Sequence, residues 1–342
     1  MLIALWILAA AATLLLAGFL YQSIAGWRDR RLYAPPGRSV TLSNGSRLYL
    51  LEEGFGGPTV LFEAGIAATN LNWRSIQQSV ARFTGTASYD RGGLGWSGPS
   101  RTARTPGNIA AELHEMLERA CIQPPFILVG HSFGGLVMRR YALLYPEEVA
   151  GVVLVDPMRC EEWPPLNPAK QSQLNLGKHL IRYAVPIARC GIARLALTSL
   201  FCRSGKLSGK LAGAAGASCR HVLGRIKTEV GKMPREVWPM VVAHWSRPAF
   251  YQGVRSHLEA VPASVEEMEA AEPIHEIPVL LLTPGRSAPL TEECLNRIGD
   301  RVQQIVAPAS EHWIHLDQPD LVIGSIREMV MAATPASVAV AG

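Results

Sequence analysis

The first apolar segment of the chain runs from Leu2 to Leu20 without a charged residue. A helix of this length rises about 28 Å, close to the about 30 Å hydrocarbon core of a bilayer. Trp27 and Tyr33 follow where interfacial aromatic anchors are found. The pattern predicts a transmembrane anchor over residues 1–27. A signal peptide cleaved near Ser23-Ile24-Ala25 is the alternative, although it should begin with Lys or Arg and have a shorter apolar core.

Three arginines, Arg28, Arg30 and Arg31, come directly after this segment. Positive charge beside a membrane span favours the cytoplasmic side. We therefore expect a single-pass membrane protein whose main domain is cytoplasmic.

From Ser39 onward the pattern changes to short apolar strands that alternate with amphipathic helices. An Asn44-Gly45 turn between the first two strands predicts a hairpin. The later strands are continuously apolar, which is typical of a parallel sheet covered by helices on both faces. The predicted fold is therefore α/β, with a mostly parallel eight-stranded sheet. Its strands are residues 40–42, 48–51, 59–63, 87–90, 125–129, 151–155, 278–283 and 301–306.

Between Arg159 and Glu259 no strand pattern is found, and helical segments are broken by Pro and Gly. This stretch holds 16 Lys or Arg and 5 Asp or Glu, whereas the whole chain carries a net charge of only +5. The basic surface of this stretch is either a solvated face or one attracted to anionic lipid headgroups. The modest overall charge does not predict nucleic-acid binding.

These patterns predict a domain organisation with an insertion. A helical cap occupies residues 159–272 and divides an α/β core into residues 28–158 and 273–333. Residues 334–342 form a disordered tail.

The pentapeptide Gly130-His131-Ser132-Phe133-Gly134 stands between an apolar strand and a helical segment that ends before Pro146. Gly-x-Ser-x-Gly in a strand–turn–helix context is the nucleophile elbow, in which the glycines permit a sharp turn. The pattern predicts Ser132 as a nucleophile; a structural Gly/Ser loop is the alternative.

A serine hydroxyl needs a base to accept its proton and a third group to orient that base. Histidine is the usual base because its pKa lies near neutral pH. A histidine after the last strand fits the chain order Ser, acid, His. Both His312 and His315 qualify.

Five motifs in the chain resemble those of the α/β-hydrolase superfamily, and more narrowly those of membrane-anchored bacterial hydrolases of that fold. They are FEAG (62–65), YDRGGLGWS (89–97), GHSFGG (130–135), VLVDP (153–157) and SEHWIHLDQP (310–319). The resemblance favours His312 as the base and His315 as a packing residue. Glu311 departs from the family pattern, which usually has glycine before that histidine.

The resemblance leaves the identity of the acid open. The family commonly has Gly-x-x-Asp-Pro after its seventh strand, but this chain has Ala288 at the acid's position. Some relatives place the acid at the end of the sixth strand, which is Asp156 here. We therefore predict Asp156 as the third triad member, with Glu292 and Glu293 as the fallback.

Acyl transfer also needs donors to the oxyanion. The positions predict the backbone N–H groups of Phe133 and Ile66 for this role. We expect the side chains of Phe133 and Trp73 to line an acyl pocket. Two further carboxylates, Asp90 and Asp317, are predicted to fix loops.

The chain's six cysteines have neither C-x-x-C nor zinc-ligand spacing, so we predict no metal or other cofactor. Free thiols are favoured, and disulfides among the four from Cys160 to Cys219 are the alternative. Serine at the elbow argues against relatives with aspartate there, the epoxide hydrolases and haloalkane dehalogenases. The prediction is a serine hydrolase that cleaves an ester-type bond of a hydrophobic small molecule or lipid. A non-catalytic binding or signalling protein and a small-molecule peptidase are the alternatives.

Overall fold

The computed structural model describes residues 1–201, 224, 227–287 and 289–334. The chain forms two compact units, Met1–Pro36 with Leu176–Arg255 and Gly37–Asn175 with Ser256–Gly342. We call them the N-terminal helical unit and the sheet unit. The division in the structure differs from the predicted cap boundaries, which stay a prediction.

The sheet unit contains one eight-stranded sheet with the strand order β1-β2-β4-β3-β5-β6-β7-β8. Strand β2 pairs antiparallel with β1 and β4, whereas all pairs from β4 to β8 are parallel. The predicted α/β fold with a mostly parallel sheet is confirmed. The strands are β1 Arg38–Thr41, β2 Arg47–Glu53, β3 Thr59–Glu63, β4 Thr86–Asp90, β5 Phe126–His131, β6 Val149–Val155, β7 Val279–Pro284 and β8 Val302–Ala307.

Helices pack on both faces of this sheet because its central strands β5 and β6 are apolar along most of their length. Alternate residues of a strand point to opposite faces. Phe126 and Leu128 of β5 therefore join one apolar core, and Ile127 and Val129 join the other. The helices of this unit are α2 Arg74–Val80, α3 Pro106–Ala120, α4 Phe133–Leu144, α9 Glu292–Asn296, α10 Ile314–Asp317 and α11 Pro319–Ala333. Single 3₁₀ turns lie at Asn70–Trp73, Pro146–Glu148 and Cys160–Glu162.

The predicted hairpin at the start of the sheet is also confirmed. Thr41 pairs with Arg47, and Gly45 in the turn has a φ of +77°. Glycine adopts this conformation without the penalty that a Cβ would bring.

The N-terminal helical unit begins with α1, Leu2–Leu32, which extends twelve residues beyond the predicted apolar segment. The residues from Leu2 to Leu20 are exposed or nearly so, but Gln22, Gly26 and Asp29 are buried. The helix continues because these later residues pack within the unit, and Arg30 and Arg31 in its last turn interact favourably with the helix dipole.

The other helices of this unit are α6 Ile192–Phe201 and α7 Trp238–Trp245, with a 3₁₀ turn at Arg235–Val237. Two longer helices, α5 Pro168–Arg189 and α8 Pro248–Glu269, begin in one unit and end in the other. The predicted helices over 180–185 and 237–245 are confirmed.

Four cysteines, Cys121, Cys160, Cys190 and Cys294, are free thiols. Cys202 and Cys219 lie outside the described residues, as do Ala288 and the predicted tail from residue 335.

Candidate active site

Three predicted site residues follow the carboxyl ends of parallel strands. Ser132 comes after β5 and Asp156 after β6, while His312 lies between β8 and α10. Parallel strands end at one edge of a sheet, where α/β proteins bind ligands. The fold therefore brings together residues that are far apart in the chain.

Ser132 has a strained backbone at the turn between β5 and α4. Its φ of +54° and ψ of −122° are unfavourable for any residue with a Cβ. Neighbouring strands and loops hold it there: its N–H donates to the Val155 carbonyl at 3.1 Å. Its own carbonyl accepts from the N–H groups of Gly135 at 2.9 Å and Met158 at 3.0 Å. Such over-determined strain is typical of a functional position.

Two glycines of the motif are required by close backbone contacts. A Cβ on Gly130 would lie 2.5 Å from the Gly134 carbonyl oxygen, and a Cβ on Gly134 would lie 2.6 Å from that of Ala64. These separations are far below van der Waals contact. Glycine at position 130 therefore lets the turn close against the start of α4, and glycine at position 134 lets it pack against the end of β3.

The carboxylate of Asp156 contacts the imidazole of His312, with 2.7 Å between Oδ2 and Nδ1. A carboxylate only accepts hydrogen bonds, so Nδ1 carries the proton and Nε2 of the neutral ring keeps a free lone pair. Asp156 also has a positive φ of 40°, and its N–H donates to the Leu282 carbonyl at 2.8 Å. The structure thus brings together the predicted acid and base.

The fallback carboxylates are exposed on α9, where Glu293 lies 3.9 Å from Arg297. Glu311, which replaces the family's glycine, instead pairs with Arg286 at 2.5 Å on the surface. Asp317 accepts a hydrogen bond from the Glu311 N–H at 3.1 Å. Its predicted loop-fixing role is confirmed.

The second candidate base, His315, is buried below the site. Its ring lies 4.5 Å from the rings of Trp73 and His131, which agrees with a packing residue. His131 is also buried, and burial lowers its pKa well below the usual value, with the neighbouring His315 and His312 adding to the effect. Its Nε2–H donates to the His312 carbonyl at 2.9 Å and so helps to hold the His312 loop.

The loop after β3 contains Ile66, the second predicted oxyanion donor. The preceding carbonyl, that of Gly65, accepts a hydrogen bond from the buried guanidinium of Arg91. The Gly65 carbonyl and the Ile66 N–H belong to one planar trans peptide and point in opposite directions. Arg91 therefore turns the Ile66 N–H away from itself.

Arg91 belongs to a buried polar group that sequence analysis did not identify. Its guanidinium lies 3.5 Å from the Glu63 carboxylate, and Glu63 also accepts from the Tyr89 hydroxyl. Burial raises the pKa of Glu63, and the charge of Arg91 opposes that rise. A glutamate directly after the apolar run of β3 is the sequence signal that points to this group.

We expect Arg91→Met to lower the free energy of unfolding by about 3–5 kcal/mol because it leaves a buried carboxylate without its cation. The measurement is a urea titration of the detergent-solubilised protein followed by tryptophan fluorescence. Arg119→Met is the control, since it breaks an exposed pair with Glu115 that contributes at most about 1 kcal/mol. Equal stability of the two variants would contradict a structural role for Arg91.

Asp90 fixes the glycine-rich loop after β4, as predicted. Its carboxylate accepts from the N–H groups of Asn70 and Trp96, both at 2.9 Å. A Cβ on Gly95, where φ is +52°, would overlap that carboxylate at 2.0 Å. This position is therefore restricted to glycine.

Ser132, Asp156 and His312 line a cavity of about 400 Å³. Most of its other walls are apolar, formed by Ile66, Met158, Trp163, Leu258 and Trp313. Arg159 and Glu162 form an ion pair at the wall. An adjacent cavity of about 300 Å³ shares Asp156 to Arg159 and Ser287 with the first.

The predicted acyl-pocket role of Phe133 and Trp73 is wrong. Neither side chain lines the cavity that contains Ser132. Phe133 is fully buried near Arg91 and His257, and Trp73 packs against Phe62 and His315. Trp163 and Trp313 provide the aromatic walls instead.

Comparison with known proteins agrees with this architecture. Residues 58–177 match the family model described as alpha/beta hydrolase fold. The uncharacterized protein YqjL of Bacillus subtilis is 34% identical over 105 residues, which are 31% of this chain and 42% of that protein. A 1-acylglycerol-3-phosphate O-acyltransferase of Arabidopsis thaliana is 35% identical over 136 residues, covering 35% of this chain and 32% of that protein.

The chain thus spans less than half of the length of these curated relatives. Among solved structures, the Cif epoxide hydrolase from Acinetobacter nosocomialis superposes with a TM-score of 0.65 at 14% identity. The match covers 91% of this chain and 96% of that one. At this identity the likeness concerns the fold alone. The sheet order, the strained turn at its edge and these matches together show that the chain has the α/β-hydrolase fold, whose family model matches its residues 58–177.

Proposed function

We propose that the protein is a serine hydrolase that cleaves an ester-type bond through an acyl-enzyme intermediate. The observation that carries the proposal is the 2.7 Å contact between Asp156 Oδ2 and His312 Nδ1 in the cavity that Ser132 also lines. This contact supports an intact base, because it selects the tautomer whose Nε2 can accept a proton.

In the proposed reaction, Ser132 Oγ attacks the substrate carbonyl carbon while His312 Nε2 accepts the hydroxyl proton. The negative charge of Asp156 stabilises the imidazolium that forms. The N–H groups of Phe133 and Ile66 stabilise the oxyanion. The tetrahedral intermediate then collapses, and the imidazolium gives its proton to the departing alcohol. Water, activated by the same imidazole, hydrolyses the acyl-enzyme and restores Ser132.

The walls of the cavity favour a hydrophobic acyl group. Ile66, Leu258 and the two tryptophans present apolar surface, and the adjacent cavity adds Leu136, Leu154 and Leu281. Burial of an acyl chain would contribute about 0.8 kcal/mol per CH₂. Activity should therefore rise along a chain-length series of p-nitrophenyl esters until the cavity is filled.

A fluorophosphonate probe tests the nucleophile directly, because it reacts only with an activated serine. We expect covalent labelling of the full-length protein and no labelling of Ser132→Ala. Ser287→Ala is the matched control, since Ser287 lines the same cavity but does not follow β5. Failure of the wild-type protein to react would support the alternative, a binding or signalling protein on the same fold. Hydrolysis of amides in preference to esters would support the other alternative, a small-molecule peptidase.

Acyl transfer to an alcohol is a second candidate, favoured by the partial match to an acyltransferase. The two reactions share the acyl-enzyme and differ in the nucleophile that resolves it. Adding a monoacylglycerol phosphate to the ester assay distinguishes them: a diacylated product indicates transfer, and free acid alone indicates hydrolysis.

We also infer that α1 anchors the protein in a membrane. The helix Leu2–Leu32 is long and apolar enough to cross a bilayer. Its most apolar stretch of 18 residues has a mean hydropathy of 2.4, and no part of that stretch is buried. The arginines that follow favour a cytoplasmic position for the rest of the chain.

A further inference from the structure

Helix α5 carries a line of exposed apolar side chains that nothing in the proposed catalysis explains. Leu176, Leu180, Tyr183 and Ile187 are spaced by four, three and four residues, so they lie along one face of the helix. Ile192 and Leu195 are two further exposed apolar residues, on α6. Each of these six side chains is between 43% and 55% exposed. An exposed apolar helix face of this kind marks a binding site rather than ordinary surface variation.

The charged residues of α5 and α6 all have one sign. No Asp or Glu occurs between Glu162 and Glu229, a stretch that contains all of α5 and α6. Arg182 and Arg189 are also exposed on α5, on the side of the helix away from the apolar line. An apolar face on a helix whose charged residues are all basic is the composition of helices that lie in the interface of anionic membranes.

The turn between the two helices packs directly on α1. A Cβ on Gly18 would lie 2.3 Å from the Cys190 carbonyl oxygen, and a Cβ on Gly191 would lie 2.9 Å from the Tyr21 ring. The two backbones therefore touch at Gly18, inside the charge-free segment of α1. At 1.5 Å per residue, Gly18 is only about 3 Å from the end of that segment at Leu20. A bilayer that takes up α1 would have its headgroup boundary at this turn.

A buried polar network holds α1 in place against α6. Arg194 of α6 donates to Gln22 Oε1 at 2.9 Å and lies 2.6 Å from Asp29. Gln22 also donates to the Ser246 carbonyl at 2.9 Å. Separating α1 from α6 would leave these groups buried or partly buried without partners, which is strongly unfavourable. The apolar surface of α5 and α6 therefore cannot move along α1 independently.

We propose that the bent pair α5–α6 is a second membrane contact, whose apolar face enters the interfacial layer of an anionic bilayer beside α1. The two helices meet at 91°, so the pair enters from one side of the bilayer and does not need to cross it. The contact rests on the proposed anchoring by α1. It would give the N-terminal helical unit a defined orientation at the bilayer surface.

Site-specific photocrosslinking in the full-length protein tests this contact. Benzoylphenylalanine replaces Leu8 in α1, Tyr183 in the apolar line of α5, or Phe55 in the β2–β3 turn. Phe55 is the matched control because it is aromatic and 92% exposed. Each variant is reconstituted in vesicles of phosphatidylcholine with phosphatidylglycerol and irradiated, and adducts are identified by mass spectrometry. We expect lipid adducts at positions 8 and 183 and none at position 55.

The outcomes separate the two membrane proposals and the hydrolase proposal. A lipid adduct at position 8 without one at position 183 would overturn the second membrane contact but would still support the anchor. No lipid at either position would overturn both. A protein adduct at position 183 would show that another chain covers this face, which also overturns the contact. Fluorophosphonate labelling of each variant reports independently on folding and on Ser132.

A charge variant adds a second measurement. Arg182→Gln should reduce the lipid adduct at position 183 by up to about fivefold in anionic vesicles, since one basic residue near the surface contributes about 1 kcal/mol. The effect should vanish in pure phosphatidylcholine. Arg119 is an exposed arginine of α3. Arg119→Gln should leave the lipid adduct at position 183 unchanged in both kinds of vesicle. An equal reduction by both variants would contradict the assigned role of Arg182.

Discussion

Ser132→Ala is expected to lower kcat for a p-nitrophenyl ester by about 10⁵–10⁶-fold, the effect of removing the nucleophile from a serine triad. This corresponds to about 7–8 kcal/mol of transition-state stabilisation. KM should change little, because the walls of the cavity stay as they are. The measurement is steady-state hydrolysis across the ester series.

A second variant at the same position separates loss of chemistry from loss of structure. Ser132 has a φ of +54°, which glycine adopts without strain. Ser132→Gly should therefore be as inactive as the alanine variant while its free energy of unfolding rises by about 1–3 kcal/mol, the strain held at such a position. An active glycine variant would mean that another residue is the nucleophile. Lower stability of this variant would mean that the turn is not strained.

Asp156→Asn is expected to reduce kcat by about 10⁴-fold with little change in structure. The amide has no charge to stabilise the imidazolium, and its NH₂ group can donate to Nδ1, which leaves the proton on the wrong ring nitrogen. The measurement is kcat for the ester that the wild-type protein hydrolyses fastest.

The chain offers a matched control for this variant. Asp300 also contacts a histidine through its carboxylate, with 3.3 Å between Oδ2 and His275 Nδ1, but that pair is exposed. Asp300→Asn should keep full activity. If Asp156→Asn were active and Glu292→Gln or Glu293→Gln were not, the assignment of the acid would be wrong.

Local patterns predicted most of the sheet unit. The apolar strands, the Asn44-Gly45 turn and the helix over Ile109 to Ala120 follow from side-chain periodicity and turn chemistry, which act over a few residues. The helix begins at Pro106, three residues earlier than its apolar face, because proline is favoured in a first turn. The position of Ser132 at the elbow is equally local, since strand, turn and helix are consecutive.

The end of α1 was predicted less well. The hydropathy pattern ends at Leu20, but the helix ends at Leu32. Its second part is polar and is stabilised by Arg194 and Ser246, more than 160 residues away. Hydropathy describes the surroundings a segment prefers and contains no information on such partners.

The sequence by itself determined the fold class, the elbow serine and the two histidines that follow the last strand, because each depends on residues that are neighbours in the chain. Only the tertiary structure decided which carboxylate contacts which imidazole. Asp156 and His312 are 156 positions apart, and Glu292 and Glu293 are much closer to His312 in sequence. The parallel sheet brings the ends of β6 and β8 to one edge, whereas α9 carries both glutamates on an exposed surface. Contact between distant residues follows from the order of the strands, and chain distance does not encode that order.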